Sequence, residues 1–290
     1  MTVENLLSLF PKELRPELAA ALNAGTGSAE EIRCRIGYPI FVLKSGGEKC
    51  VLTCSVTQEH LDYLFERATS ASVHAYTEEI QNGFLFTSSG YRIGLCGTMY
   101  GNQKIVSGIR DLTSVSVRIP HEMPGCADKI YPQLTENGFQ STLILSPPGY
   151  GKTTLLRELI RKLSLSGFRI SVADERGEIA AVHNRRRAFD LGPNTDVMTG
   201  GRKGESAMML LRAMNPQILA FDEITDAADL RAVMQAAGCG VSLLATAHAY
   251  DQASLQRRSL YRKIMNMGIF MRSIWIQMTD RGRSYDIQDV

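Results

Sequence analysis

Two hydrophobic patterns divide the chain. Up to about residue 119, short runs alternate apolar and polar positions. Beyond about residue 140, solid apolar runs of four to six residues alternate with helical stretches. The first part opens with two helical patterns, residues 3–9 and 13–24, with Pro11 between them and Gly25 as the stop. Ile32, Cys34 and Ile36 then alternate with Arg33 and Arg35, which predicts a strand with one buried face and one cationic face. Tyr38-Pro39 interrupts it, and 41–43 resumes the apolar run. Residues 57–68 read as a helix, with Thr57 and His60 in place of a full capping box. Strand patterns follow at 83–86, 91–97 and 114–119. Helices mixed with antiparallel strands make this an α+β arrangement.

The apolar runs at 142–145, 169–173, 218–221 and 241–246 have the character of strands buried on both faces. With helices between them they predict a parallel sheet wrapped by helices. The fold class expected is α/β, this parallel-sheet domain over 140–290 preceded by a smaller α+β domain over 1–119. Pro120 and Pro124 mark a linker over 120–139, with a short helix near 127–134. No internal repeat or low-complexity tract is present.

Composition narrows the function. The 290 residues are 44% hydrophobic and 21% charged, the balance of a globular chain of one large domain or two. Thirty-two Lys+Arg against 30 Asp+Glu give +2, which speaks against a dedicated binder of phosphate backbones and so against a stable nucleic-acid partner. No apolar run reaches the length of a membrane span, and the acidic start is not that of a secretory signal. Six dispersed cysteines, with only Cys50 and Cys54 close, fit reduced thiols in a cytoplasmic protein. They complete no zinc pattern, and no structural metal is expected.

The strongest local signal is Ser146-Pro147-Pro148-Gly149-Tyr150-Gly151-Lys152-Thr153-Thr154, set between an apolar strand and a helical pattern. That is the strand–loop–helix context of a P-loop. Glycines let backbone N–H groups turn inward around phosphates, and the helix N-terminus adds its positive end. Lys152 supplies a cation to the β- and γ-phosphates, and Thr153 a hydroxyl to magnesium. Ser146 stands where the pattern begins with glycine. If that position needs a positive φ, nucleotide affinity suffers.

Two further strands end in acids, at Asp174-Glu175 and at Asp222-Glu223. The second suits a Walker B role, with Asp222 near magnesium and Glu223 polarising the attacking water. Which of Asp174, Glu175 and Glu223 is the main base stays open. Thr246 and His248 end a fourth strand, where a γ-phosphate sensor belongs. A structural role is the alternative for a lone histidine.

With these stretches in place, the chain resembles the ATPases of type II and type IV secretion and of pilus motors. Leu211–Asp226 is similar to the group's Walker B region, 236–248 to its histidine box and 174–179 to its acidic box. Within that superfamily it resembles the stage III AA sporulation family of endospore-forming bacteria. The residues that carry this are 31–37, 91–97, Ile109-Arg110-Asp111, 117–119 and 174–176, in the right order. The resemblance implies a RecA-like P-loop ATPase domain over 140–290 behind a family N-terminal domain, with ATP and Mg2+ as cofactors and catalytic roles among Glu223, Asp174, Glu175 and His248. It also implies a hexameric ring at the cytoplasmic face of a membrane, on the mother-cell side, working with membrane-embedded sporulation channel proteins. The chain departs from the group at Ser146, at Val241 in place of a histidine, at Thr225 in place of an arginine, and at Asp222 in place of a glycine.

Arg33, Arg35, Arg92, Arg110 and Arg118 punctuate the first-half strands. A solvated strand face explains any one of them. The resemblance suggests that Arg92, Arg110 and Arg118 reach a neighbour's ATP, as guanidinium groups supplied in trans do. Arg185-Arg186-Arg187, with His183 and Asn184, reads as a solvated basic patch. Besides a ring ATPase for a membrane channel, two functions compete. A RecA-like nucleic-acid motor would want a basic, aromatic groove. A nucleotide-gated scaffold would bind ATP with little hydrolysis, and the presence of both Asp222 and Glu223 speaks against it.

Overall fold

The computed structural model describes residues 3–25, 27–45, 47, 49–87, 89–102, 105–183, 186–279 and 282–290. The chain forms two units, one of residues 1–121 with 182–188, the other of 122–181 with 189–290.

In the first unit the alternating runs pair into one antiparallel sheet, ordered β3-β2-β1-β6-β5-β4. Its strands are β1 (Ala29–Arg35), β2 (Pro39–Lys44), β3 (Lys49–Ser55), β4 (Phe84–Phe86), β5 (Arg92–Asn102) and β6 (Ile105–Arg118). Alternation decides which face is buried: Ile32, Val42, Leu85, Ile93, Val115 and Val117 are fully or almost fully enclosed. They share a core with residues of α1 (Val3–Leu7), α2 (Arg15–Asn23) and α3 (Gln58–Ala68), joined by Ile80 of the short α4 (Thr77–Gln81). Pro16 sits in the first turn of α2, where its missing N–H costs nothing. At the start of α3, Thr57 and His60 do form a reciprocal capping box, with the imidazole Nδ1 3.2 Å from the Thr57 N–H.

β5 and β6 extend well beyond the stretches 91–97 and 114–119 expected from the pattern. A bulge between Cys96 and Thr98 explains the broken alternation. Gly97 is required there, because a Cβ would lie 2.6 Å from the Arg110 carbonyl oxygen. A two-strand ribbon, β9 (Val182–His183) and β10 (Arg186–Arg187), groups with this unit. It holds part of the basic patch; Asn184 and Arg185 lie outside the described residues.

The second unit is built on a seven-stranded sheet ordered β11-β8-β12-β13-β7-β14-β15. The four expected strands are present as β7 (Thr142–Ser146), β8 (Ile170–Asp174), β12 (Ile218–Phe221) and β13 (Ser242–His248). Every residue of β7, β8 and β12 is buried, as strands covered on both faces require. Three strands add to them: β11 (Thr195–Thr199), β14 (Arg272–Thr279) and β15 (Gly282–Asp289). All pairings are parallel except that of β14 with β15.

The helices are α5 (Tyr131–Thr135), α6 (Lys152–Leu165), α7 (Lys203–Met214), α8 (Ala227–Gly238), α9 (Gln252–Arg257) and α10 (Ser259–Asn266). Residues 122–139, expected as a linker, cluster with this unit. Ala127, Ile130, Leu134 and Phe139 are buried there. Among the described residues no helix is long and apolar enough to cross a membrane.

Candidate functional site

The sheet order decides what can meet. β13 lies between β7, which leads into the Gly/Pro loop, and β12, which leads to Asp222 and Glu223. All three run parallel, so their C-terminal ends gather at one edge, where open α/β sheets bind ligands.

Ser146 is the last residue of β7, fully buried and paired with His248 across the sheet. It is absent from the described residues with positive φ, so serine meets no backbone penalty there. The turn is made instead by Gly149 at φ 80° and Gly151 at φ 93°, left-handed values that favour glycine. Gly151 is the N-cap of α6, so the helix begins at Lys152 and its free N–H groups face the loop. Pro147 and Tyr150 are part-buried, Pro148 and Gly149 exposed, and Thr153 and Thr154 part-buried in the first turn of α6.

Lys152 is 7% exposed. Its ammonium donates to the carbonyls of Ser146 (3.1 Å) and Pro147 (3.2 Å) and lies 2.6 Å from Nδ1 of His248. Burial pulls its pKa down to about 8, against the opposing pull of Glu223 and Asp222. The imidazole reaches on through Nε2 to the Glu223 carboxylate, 3.2 Å away. With the ammonium donating to Nδ1, the neutral tautomer that completes this chain carries its proton on Nε2 and donates it to Glu223.

Asp222 is bridged on both oxygens, by the Thr246 hydroxyl at 2.7 Å and the Thr153 hydroxyl at 3.3 Å. Thr153 and Asp222 are adjacent hard oxygen donors, the donor class that Mg2+ takes. The structure thus joins Ser146, Lys152, His248 and Glu223 in one network, beside a second set of Thr153, Asp222 and Thr246.

It does not bring Asp174 and Glu175 into that network by any direct bond. Asp174 is buried and accepts from the backbone N–H groups of Ile179 and Ala180, closing the loop after β8 on itself. Burial raises its pKa to about 6, with the Asp222 and Glu178 charges adding to the rise and the two N–H groups opposing it. Glu175 turns to Lys203, accepting from its backbone N–H at 3.4 Å.

Sequence reasoning missed Lys203 and Arg157. The buried ammonium of Lys203 donates to the Glu223 carbonyl, lies 3.4 Å from the Thr225 hydroxyl and pairs with Asp229 at 3.3 Å. Asp229 in turn accepts from the Thr225 N–H. Lys203 therefore fixes the segment that carries Glu223. Arg157, one turn beyond Thr153, donates to the Glu178 carbonyl and covers the Phe189 ring at 4.1 Å. Lysine and arginine on helices ordinarily signal solvent, so nothing in the pattern distinguished these two.

In the first unit, Arg92 and Arg118 are direct partners across β5 and β6. Arg92 also lies over Phe84, 4.3 Å from the ring centre. Arg110 falls beyond the bulge, exposed and 3.5 Å from Asp111.

Comparison with known proteins bears on the family and the fold. Residues 3–289 match the family described as "Sporulation stage III, protein AA". Stage III sporulation protein AA of Bacillus subtilis (strain 168) is 29% identical over 275 residues, spanning 93% of this chain and 89% of that protein. Among solved structures, the chain is similar to the ATPase DotB of Legionella pneumophila, at 18% identity and a TM-score of 0.61, covering 96% of this chain and 80% of that one. It is also similar to the pilus retraction motor PilT with bound ADP, at 17% identity and a TM-score of 0.59, covering 94% and 81%. At such identities the likeness to the solved structures is one of fold, and that fold is the RecA-like α/β sheet described above. The match over nearly the whole length places this chain in the sporulation stage III protein AA family.

Proposed function

We propose that the chain binds ATP with Mg2+ at the loop 146–154 and hydrolyses it. It does so as a ring at the cytoplasmic face of a membrane, energising or assembling a secretion-like channel during endospore formation. The observation that carries the catalytic part is the connected set Lys152–His248–Glu223, next to Thr153–Asp222–Thr246.

In this reading Lys152 leaves His248 and pairs with the β- and γ-phosphates. Thr153 and Asp222 would hold Mg2+, which supplies charge neutralisation on those phosphates when bound. Glu223, held through its own carbonyl by Lys203, takes the proton from the attacking water. His248, released from Lys152, keeps its contact with Glu223 and stands where charge develops on the γ-phosphate. Asp174 and Glu175 act as loop tethers, leaving Glu223 as the base.

The ring and the channel rest on the family resemblance and on the fold shared with ATPases. Arg92 and Arg118, side by side on one sheet, supply the cations that a neighbour's phosphates would need. The test is phosphate release from Mg-ATP, measured together with the mass of the particle in solution. The reading expects turnover and an oligomer that forms with nucleotide. A monomer that binds ATP and releases no phosphate would contradict it.

A further inference from the structure

The chain as a whole is nearly balanced in charge, but one stretch is not. From Gln252 to Thr279 it holds five cations, Arg257, Arg258, Arg262, Lys263 and Arg272, and no aspartate or glutamate. Arg272 is engaged within the fold, donating to the Gln133 carbonyl beside the Asp289 carboxylate. The other four stand on or between α9 and α10, and all four are exposed.

Packing decides which way they point. Tyr261 and Ile264 of α10 turn inward to a core they share with α8 and β13. Arg262, Lys263 and Asn266 are left on the outer side of the same helix. The junction is fixed to the sheet: Arg258 donates to the His248 carbonyl at 3.3 Å, and the Tyr261 hydroxyl to the Ile224 carbonyl at 2.8 Å. The cations are therefore carried on a held element. The acid that precedes them, Asp251, is the N-cap of α9. Its carboxylate accepts from the Ser254 N–H at 2.6 Å. Among the described residues Arg262 and Lys263 form no ion pair.

We propose that the outer side of α9 and α10 docks on the anionic headgroups of a phospholipid membrane. The inference names a surface for the membrane placement proposed above and rests on that reading. A headgroup layer is a broad array of negative charge, so it needs no fitted acid opposite each cation, and every Lys or Arg near it adds to the attraction. Met267, just past α10, and Met271 are also exposed. They offer apolar side chains to the boundary beneath the headgroups, as surface-bound helices do. The inward face of α10 stays in the core, so the contact is with the surface and not an insertion. A nucleic acid fits less well. Tyr261 is the one aromatic residue of the two helices and is buried, which leaves no ring there for a base to stack on.

The test is co-sedimentation of the full chain with vesicles of phosphatidylcholine, alone or mixed with phosphatidylglycerol. The chain should bind the mixed vesicles, ignore the neutral ones, and dissociate as salt rises. Arg262→Ala combined with Lys263→Ala should weaken binding about ten- to thirtyfold. Lys12→Ala combined with Lys129→Ala removes the same charge from exposed positions outside this stretch and should change binding little. Equal losses in the two pairs overturn the proposal, as does equal binding to neutral vesicles. Capture of soluble polyglutamate without binding to the mixed vesicles also overturns it, and would make the surface a site for an acidic polypeptide. Phosphate release is the separate readout: an active ATPase that binds no vesicles overturns the docking surface and leaves the nucleotide reading standing. All four substituted side chains are exposed, so both variants should fold, and matching melting curves establish that they do.

Discussion

The ammonium of Lys152 lies 2.6 Å from Nδ1 of His248, a residue 96 positions later in the chain. The contact exists because β13 pairs directly with β7, which sets His248 beside Ser146 at the mouth of the loop. Through the same ring the lysine reaches Glu223, just past the end of β12, which is not a hydrogen-bonded neighbour of β7. The candidate phosphate-binding cation and the candidate base are therefore held by one imidazole. A nucleotide that draws Lys152 toward its phosphates breaks the first of these contacts and leaves the second.

Nucleotide binding should take up a proton near pH 8. Lys152 sits at about 8, below its ordinary 10.5, because it is buried. Anionic phosphates at its ammonium raise it again. ATP affinity should then be highest below pH 8 and fall as pH rises above it. By the same linkage the stability of the empty protein should rise between about pH 8 and 10.5, where the unfolded chain holds the extra proton. Titrations in buffers of different ionisation enthalpy measure the uptake. An ATP affinity that does not change between about pH 7 and 9 would contradict it.

His248→Ala should slow phosphate release more than it weakens ATP binding, because the imidazole contacts Glu223, the proposed base. A role confined to packing predicts the reverse: a lower melting temperature and full activity per folded molecule. Thermal unfolding and turnover measured on one preparation separate the two.

Asp174→Asn should retain turnover within a few-fold. An amide oxygen still accepts from Ile179 and Ala180, so the loop after β8 stays closed. The native carboxyl, raised to about 6 from 3.8, contributes stability below pH 3.8 that is lost as pH rises through 6. The variant should lack that pH dependence and melt no lower than wild type at pH 7. A turnover loss of a hundredfold or more would return Asp174 to the catalytic set.

The second unit's centre was legible because its strands are apolar on both faces and its loop has a motif with a physical reason. β7, β8, β12 and β13 lie within about two residues of the apolar runs, Lys152 opens the helix after the loop, and Asp222, Thr246 and His248 stand at or just past strand ends, as the pattern places them. The sheet's margins were not legible. β11 reads Thr-Asp-Val-Met-Thr and β15 is mostly polar, because such strands lie at or near an edge and bury little. Lys203 and Asp229 escaped notice because a buried ion pair looks, in sequence, like two solvated helix charges. Two acids at the end of β8 looked catalytic for the converse reason: spacing shows that carboxylates are near a strand end, and only coordinates show that Asp174 is bonded to its own loop.

Arg118→Ala and Lys152→Ala should each be inactive alone and regain activity when mixed, if arginines of one subunit serve the nucleotide of the next. Arg92 and Arg118 share a rung of the β5–β6 pair, so Arg92→Ala should behave the same way. Arg110, beyond the bulge and beside Asp111, should tolerate alanine better. Phosphate release from mixtures shown by mass to be rings is the readout. Well-formed mixed rings without recovery would place the arginines outside the reaction.

Glu223 is the base we propose for an ATP held by Lys152. The direct measurement is Mg-ATP affinity and phosphate release in Glu223→Gln beside wild type. The amide keeps the shape and the contact with His248 but cannot take a proton from water. The account predicts unchanged or tighter ATP binding and a turnover lower by about 10²–10⁴-fold. Turnover equal to wild type, with ATP bound equally well, would contradict it.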